Sequence, residues 1–94
     1  MDKFIEEHRE TIKRVAALRG ATRVRLFGSL ARNDGGAQSD VDLLVDLEEG
    51  RSALALGGLL MDLEECLGRR VDLVTPMSLH PRIRENVLKQ AVDL

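Results

Sequence analysis

Hydrophobic and polar residues follow helical and strand periods in turn along the first half of this chain. Apolar residues recur at helical spacing over residues 2–19, and Gly20 is suited to end that helix. Residues 22–27 alternate in a way that predicts a strand, which ends at Gly28. Residues 29–32 are enough for one helical turn. The first half therefore predicts a helix, a strand and a short helical turn.

The middle of the chain predicts a second strand and a long helix. Residues 40–47 have the composition of a strand, and the apolar stretch 41–45 indicates burial on both faces. Ser52 can cap a helix over residues 53–67, and Gly68 stands where glycine commonly ends a helix. A helix of this length can cross over the sheet to a further strand.

The last quarter of the chain predicts one more strand and one more helix. Residues 70–75 form a third short strand, which Pro76 stops, and Pro81 can begin the last helix. The element order αβ(α)βαβα predicts an α/β fold of the α+β sandwich type, with a three-stranded mixed sheet and flanking helices. The 94 residues suffice for a single domain over residues 1–94. The inward-facing residues predicted for the last helix are Ile83, Val87, Leu88 and Ala91.

Composition limits the binding partners and the cellular location that are expected for this protein. The net charge is −2 and the aromatic residues are two Phe, so neither a basic surface nor stacking platforms for extended nucleic acid are expected. No apolar run approaches the roughly 18 residues of a membrane span. The single Cys66 can form no internal disulfide, which favours a reducing, cytoplasmic location, and its spacing predicts a buried helix residue.

Gly28 and Ser29 are the first candidates for chemistry. They stand where a strand gives way to a helical turn, so the backbone can pass close to a ligand and free N–H groups can attract phosphate. The Ser29 hydroxyl can reach a phosphate oxygen. The structural alternative is a tight turn with a serine cap.

Asp40 and Asp42 are the second candidates. Because they lie two residues apart at the start of a strand, both carboxylates point to the same side. Such a pair suits magnesium, which takes carboxylate oxygens together with waters and substrate phosphates. The alternative is a solvated strand end in which Asp40 is a turn residue.

Asp72, a charged residue between apolar neighbours in a short strand, is the third candidate. An exposed sheet edge explains it as well as a carboxylate aimed into a site. If the first two strands are antiparallel and the third is parallel to the second, Gly28, Ser29, Asp40, Asp42 and Asp72 meet at one end of the sheet.

These residues resemble a known sequence pattern. Gly28-Ser29, ten intervening residues and Asp40-x-Asp42 resemble the signature of the DNA polymerase β-like nucleotidyltransferase superfamily. The flanking residues 26–27 and 43–45, with Ala31-Arg32, resemble its minimal nucleotidyltransferase branch. The resemblance covers essentially the whole chain and implies the nucleotidyltransferase fold.

The resemblance also implies an activity, in which a hydroxyl attacks the α-phosphorus of a nucleoside triphosphate and pyrophosphate leaves. Asp40 and Asp42 would bind two Mg²⁺ ions, Gly28 and Ser29 would hold the terminal phosphates of ATP, and Asp72 would be the third metal-binding carboxylate and draw off the proton. Arg32, one turn after Ser29, is expected either to meet a phosphate or to be a surface cation.

The resemblance extends to a partner. Small proteins of this branch resemble antitoxins paired with a HEPN-type toxin, which implies transfer of AMP to a tyrosine hydroxyl of that toxin. Since no second domain is evident to bind an acceptor, a partner is expected to supply that surface. Leucine-rich helices and a small core are also compatible with self-association.

Two other functions remain open at this stage. A non-catalytic binding module could neutralise its partner by occlusion, and a small-molecule nucleotidyltransferase would need additional acceptor-binding structure. The first is kept open by two departures from the family pattern. Leu30 stands where arginine is common, which removes one phosphate contact, and Asn33 stands where glycine is frequent but can adopt the same left-handed backbone.

Overall fold

A computed structural model describes all residues, 1–94, as helices packed on a mixed sheet. The helices are α1 (Lys3–Leu18), α2 (Gly28–Ala31), α3 (Ala53–Leu67) and α4 (Pro81–Gln90), with a 3-10 turn at Pro76–Ser78. The strands are β1 (Ala21–Phe27), β2 (Val41–Leu47), β3 (Val71–Val74) and β4 (Val92–Asp93). The predicted elements are therefore present, with α3 at its predicted bounds.

The strands lie in the order β3-β2-β1-β4. β1 is antiparallel to β2, and β2 is parallel to β3, which it reaches through the crossover helix α3. Both strand directions agree with the sequence prediction. A crossover of this kind is what places the starts of β2 and β3 at the same end of the sheet.

The prediction of three strands was wrong, because β4 adds a fourth. Val92 and Asp93 pair antiparallel with β1, and the Leu94 amide donates to the Val24 carbonyl at 3.0 Å. Two residues are too few to show an alternating pattern. The strand exists because the end of α4 brings the chain alongside the free edge of β1.

One face of the sheet packs against α1 and α3 and forms the hydrophobic core. α3 contributes Leu59, Leu63 and Leu67, as its helical spacing predicts. Its ends also follow the prediction: the Ser52 hydroxyl accepts from the Leu54 amide at 3.2 Å, and Gly68 adopts a left-handed backbone with φ 63°. The core residues are Ile5, Ile12, Ala16, Val24, Leu26, Leu30, Val41, Leu43, Val45, Leu59, Leu63, Leu67 and Val71.

Several apolar side chains predicted to be inward are exposed. On α4, which packs beside α2 and buries no residue, Ile83 is 49% exposed and Leu88 is 38% exposed. Leu18 is 77% exposed because it lies about 200° around α1 from the buried Ala16. Cys66 is also exposed, at a groove between α1 and α3 that is open to solvent. None of the helices has the length and hydrophobicity that crossing a membrane requires.

Candidate active site

The register of the sheet brings the predicted residues to one end of it. Phe27, the last residue of β1, pairs with Asp42 of β2, and Asp42 pairs in turn with Asp72 of β3. Opposed residues on neighbouring strands lie about 5 Å apart and point to the same face. Gly28 follows Phe27 directly, so it also lies beside Asp42. The predicted convergence is therefore present in the fold.

Asp42 occupies the centre of this arrangement. Its neighbours Val41 and Leu43 are fully buried in the core, and strand alternation turns the Asp42 side chain to the opposite face. The side chain is half-buried there, between Gly28 on one side and Asp72 on the other. A carboxylate in this position is partly withdrawn from water.

The electrostatics of the site act mainly on Asp42. Partial burial, followed by the negative charges of Asp72 and Asp40, raises the pKa of its carboxyl to about 6, while the positive charge of Arg32 acts in the opposite direction. The Asp42 carboxyl therefore feels the charges of two other carboxylates and one guanidinium. Negative charge is in excess, so the site favours a cation.

Gly28 is required at its position by two features of the fold. Its φ of 73° lies in the left-handed region, which side chains other than glycine adopt at a cost. A Cβ atom on Gly28 would also overlap the Asp42 carboxylate. Glycine is therefore what lets the turn between β1 and α2 pass directly against Asp42.

Ser29 and Arg32 lie on the two turns that follow. Ser29 is in the first turn of α2, which no side chain caps, and its carbonyl accepts from the Asp34 amide at 3.1 Å. Arg32 is exposed, and its Nε donates to the Asp34 carboxylate at 3.1 Å. The guanidinium thus stands at the edge of the site, paired with an acid of the following loop.

The two departures from the family pattern have structural explanations. Asn33 has φ 62°, the left-handed conformation expected of it, so the turn is retained. Leu30 is 1% exposed and belongs to the hydrophobic core. Its side chain therefore packs α2 onto the core and makes no phosphate contact at this position.

Asp40 is the outlying member of the acidic group. It precedes β2, is exposed, and its closest cation is Arg70, with Nε 3.9 Å from Oδ1. No three carboxylate, imidazole or thiolate groups of the chain are drawn together closely enough to enclose a metal ion. The donors nevertheless fit magnesium, because a divalent cation beside Asp42 would offset the repulsion from Asp40 and Asp72 that contributes to its raised pKa.

Two arginines beside Asp40 were not singled out by the sequence. Arg69 and Arg70 follow Gly68, and with Asp40 they line a groove of about 280 Å³. The signal in the sequence is a pair of basic residues, three and two positions before the candidate Asp72. Only the pairing of β3 with β2 shows that these arginines face the loop before Asp40.

Comparison with known proteins defines the class to which this site belongs. The family model of the nucleotidyltransferase domain matches residues 7–94. The chain therefore belongs to the nucleotidyltransferase family, as the pattern at Gly28-Ser29 and Asp40-x-Asp42 indicated. The prediction that this protein is a nucleotidyltransferase is therefore confirmed.

Relatives narrow the family further. A Methanocaldococcus jannaschii protein assigned as a protein adenylyltransferase is 41% identical over 90 residues, which cover 96% of this chain and 97% of that protein. The protein adenylyltransferase MntA of Thermococcus cleftensis is 44% identical over 73 residues, covering 78% of this chain and 74% of that protein.

Solved structures agree with the fold. A structure described as a minimal nucleotidyltransferase superposes with a TM-score of 0.87 at 46% identity, covering 100% of this chain and 97% of that chain. A toxin–antitoxin complex with AMP-PNP superposes with a TM-score of 0.76 at 23% identity, over 89% of this chain and 69% of that one. At this identity the similarity concerns the fold only. The predicted minimal nucleotidyltransferase fold is thus confirmed, with four strands rather than three.

Proposed function

We propose that this protein transfers AMP from ATP to a hydroxyl group of a partner protein, a HEPN-type toxin, and acts as its antitoxin. Two similarities support the acceptor class: relatives at 41% and 44% identity are named as protein adenylyltransferases. The fold shared with a toxin–antitoxin complex that contains AMP-PNP supports both the partner and the nucleotide. The tyrosine hydroxyl as acceptor follows from the resemblance to the minimal branch.

One observation carries the proposal. Asp42 is paired with Phe27, which directly precedes the Gly28-Ser29 turn, and on its other side with Asp72. Phosphate-binding turn and acidic residues are therefore adjacent, as a phosphate-transfer reaction requires.

Each residue then has a role. Asp40 and Asp42 would hold two Mg²⁺ ions with Asp72 as a third ligand, and bound Mg²⁺ supplies neutralisation of phosphate charge and activation of the attacking oxygen. The Gly28 backbone and the Ser29 hydroxyl would hold the terminal phosphates of ATP. Since Gly28 lies against the Asp42 carboxylate, a triphosphate bound at this turn would lie beside the acidic group.

The reaction balances without a further reagent. The acceptor oxygen forms a bond to the α-phosphorus of ATP, the bond to the bridging oxygen breaks, and pyrophosphate leaves with its charge. Asp72 pairs with Asp42 and is exposed, and in this proposal it would take the hydroxyl proton and release it to water. Arg32 can turn from Asp34 to the phosphates at little cost, because that ion pair is half exposed.

The test is a transfer assay with ATP, magnesium and the HEPN-type protein sought among the products of the neighbouring genes. We expect intact-mass spectrometry to show the addition of one AMP group to the toxin, and tryptic mapping to place it on a tyrosine. Asp42→Asn should abolish the addition. Asp62→Asn, which removes an acid of α3 paired with Arg19, is the matched control and should leave it unchanged. Absence of any AMP addition by the unaltered protein would contradict the proposal.

A second function, neutralisation by occlusion without catalysis, is favoured by the position of Asp40. Its closest cation is Arg70, and it is not gathered with Asp42 and Asp72 into a closed cluster. This alternative predicts that Asp40→Asn and Asp42→Asn leave neutralisation of the toxin intact in a growth assay. Loss of neutralisation with retained complex formation would exclude it.

A further inference from the structure

The loop over residues 32–40 joins the two halves of the site but has few attachments of its own. Most of its residues are exposed, and no side chain of the loop belongs to the core. Gly36 and Ser39 close it on itself: the Gly36 amide donates to the Ser39 hydroxyl at 2.9 Å, and the Ser39 amide donates to the Gly36 carbonyl at 3.0 Å. These bonds shape the loop without tying it to the sheet.

Arg69 provides an attachment from a distant part of the chain. Its Nη2 donates to the Gly36 carbonyl at 2.9 Å and to the Ser39 carbonyl at 2.6 Å. Bonds from a charged donor are stronger than those between neutral groups. One nitrogen therefore holds both ends of the closed turn, and the second acceptor belongs to the residue directly before Asp40.

The Arg69 guanidinium also contacts helix α1. Its Cζ lies 4.5 Å from the centre of the Phe4 ring, a cation–π contact with α1. The Phe4 ring stacks in turn on His8, with ring centres 4.2 Å apart. The two carbonyl bonds and the ring contact together hold the guanidinium between α1 and the loop, although its Nε atom is buried without a partner.

We propose that Arg69 is a positioning residue for Asp40, acting through the Ser39 carbonyl. The inference rests on the proposed function, in which Asp40 holds magnesium. Asp40 precedes β2 and lies between two anchored peptides. After it, the Val41 amide donates to the Arg70 carbonyl at 2.9 Å, a backbone bond that a change of side chain does not remove. Before it, the Ser39 carbonyl is held by the Arg69 side chain, so this second anchor of Asp40 depends on Arg69.

Arg70 offers a matched comparison on the next residue. It carries the same charge and lies near the same carboxylate, but it is 86% exposed and its Nε is 3.9 Å from Asp40. Exposed ion pairs of this kind contribute little to the stability of the folded state. Removing Arg70 takes away a charge beside Asp40, whereas removing Arg69 takes away the attachment of the loop.

The first experiment measures amide hydrogen exchange in the protein without nucleotide or metal. In Arg69→Ala we expect the amides of residues 34–40 to exchange about tenfold faster, because the loop opens without opening the core. The amides of β2 and α3 should keep their rates, and Arg70→Ala should match the unaltered protein. Unchanged loop exchange, acceleration throughout the molecule, or equal acceleration in Arg70→Ala would each overturn the proposal.

The second experiment measures AMP transfer against magnesium concentration. In Arg69→Ala the concentration that gives half-maximal transfer should rise about tenfold, as is typical when the support of a metal ligand is removed. The rate at saturating magnesium should change much less, and Arg69→Lys, which retains a charged donor, should recover part of the loss. An equal loss at all magnesium concentrations would overturn the positioning role.

The two proposals fail in different ways. If the unaltered protein transfers no AMP at any magnesium concentration, the proposed function fails, and the exchange experiment alone decides whether Arg69 holds the loop. If transfer is normal in the unaltered protein and its magnesium requirement is unchanged in Arg69→Ala, only the inference about Arg69 fails. If Arg69→Ala does not fold, Arg69→Gln takes its place as the variant without the charged donor, and Arg69→Lys remains the variant that should recover part of the loss.

Discussion

The two faces of β2 differ in burial and in charge. Val41, Leu43 and Val45 point to one face and have no solvent exposure, packed against α1 and α3. Asp42 and Asp46 point to the other face and are only partly buried, on either side of the fully buried Leu44. The first face packs into the hydrophobic core, and the second presents the Asp42 carboxylate at the sheet end where the candidate site lies. A rigid, buried face is what lets the other face hold charge in a defined place.

The difference has an energetic consequence at neutral pH. Burial of Leu43 favours the folded state, whereas Asp42 is charged at a place where burial and two other carboxylates disfavour that charge. The site face therefore reduces the stability that the core face provides.

Asp42→Asn and Leu43→Ala should separate activity from stability on adjacent residues. Asp42→Asn should reduce AMP transfer on the order of 1,000-fold, since metal-binding groups supply several kcal/mol of transition-state stabilisation. Leu43→Ala should lower the free energy of unfolding by about 3 kcal/mol through the cavity it leaves. Transfer assays and urea denaturation measure the two effects. Loss of stability in Asp42→Asn would mean that the two faces are not distinct.

Gly28→Ala should affect both faces. We expect transfer to fall about 100-fold, because the added Cβ displaces the Asp42 carboxylate from its place. Stability should fall by about 1 kcal/mol from the left-handed backbone. Gly57→Ala is the control, as it lies in α3 with open space around it and should stabilise the helix. Normal activity in Gly28→Ala would show that the turn does not support the site.

The pH dependence of the free energy of unfolding should show how much the charge on Asp42 destabilises the folded protein. Because its pKa is raised from 3.8 to about 6 on folding, the folded protein binds the proton more tightly than the unfolded chain. This contribution to stability is fully present below pH 3.8 and is lost as the pH rises through about 6.

The measurement is urea denaturation of the unaltered protein and of Asp42→Asn across this range without magnesium. Asp42→Asn should be more stable by about 1 kcal/mol at pH 8, after reduction of the shift for solvent screening, and the gap should close near pH 4. A gap that widens toward low pH would contradict the assignment.

The ion pair between Arg23 and Asp93 should show the smallest effect. It joins β1 to β4 at 2.7 Å, and the hydrogen bond from Arg23 lowers the pKa of the Asp93 carboxyl. Its contribution is present above the ordinary pKa of the acid and is lost as the pH falls. Because both side chains are at least half exposed, Asp93→Ala should leave the thermal midpoint nearly unchanged. A large loss would show that β4 is essential to the sheet.

Much of the site was predictable because its residues occupy marked positions in short local patterns. Gly28 ends an alternating strand, and Asp42 and Asp72 interrupt apolar strands, so each is visible without knowledge of its neighbours. Their roles remain predictions, whereas their adjacency is a finding of the fold.

The residues that the sequence missed are those whose surroundings come from distant parts of the chain. In the sequence Arg69 looks like any basic residue that follows a helix. The two residues that it contacts, Ser39 and Phe4, lie far from it along the chain. Cys66 and Ile83 have the spacing of core residues, but no element covers them.

The sequence by itself determined the element types, the fold class and the candidate acids, because periodicity and turn chemistry act over a few residues. The tertiary structure alone decided the fourth strand, the exposure of α4 and the hold of Arg69 on the loop. Each of these depends on which surfaces meet after the chain has folded, and local pattern does not contain that information.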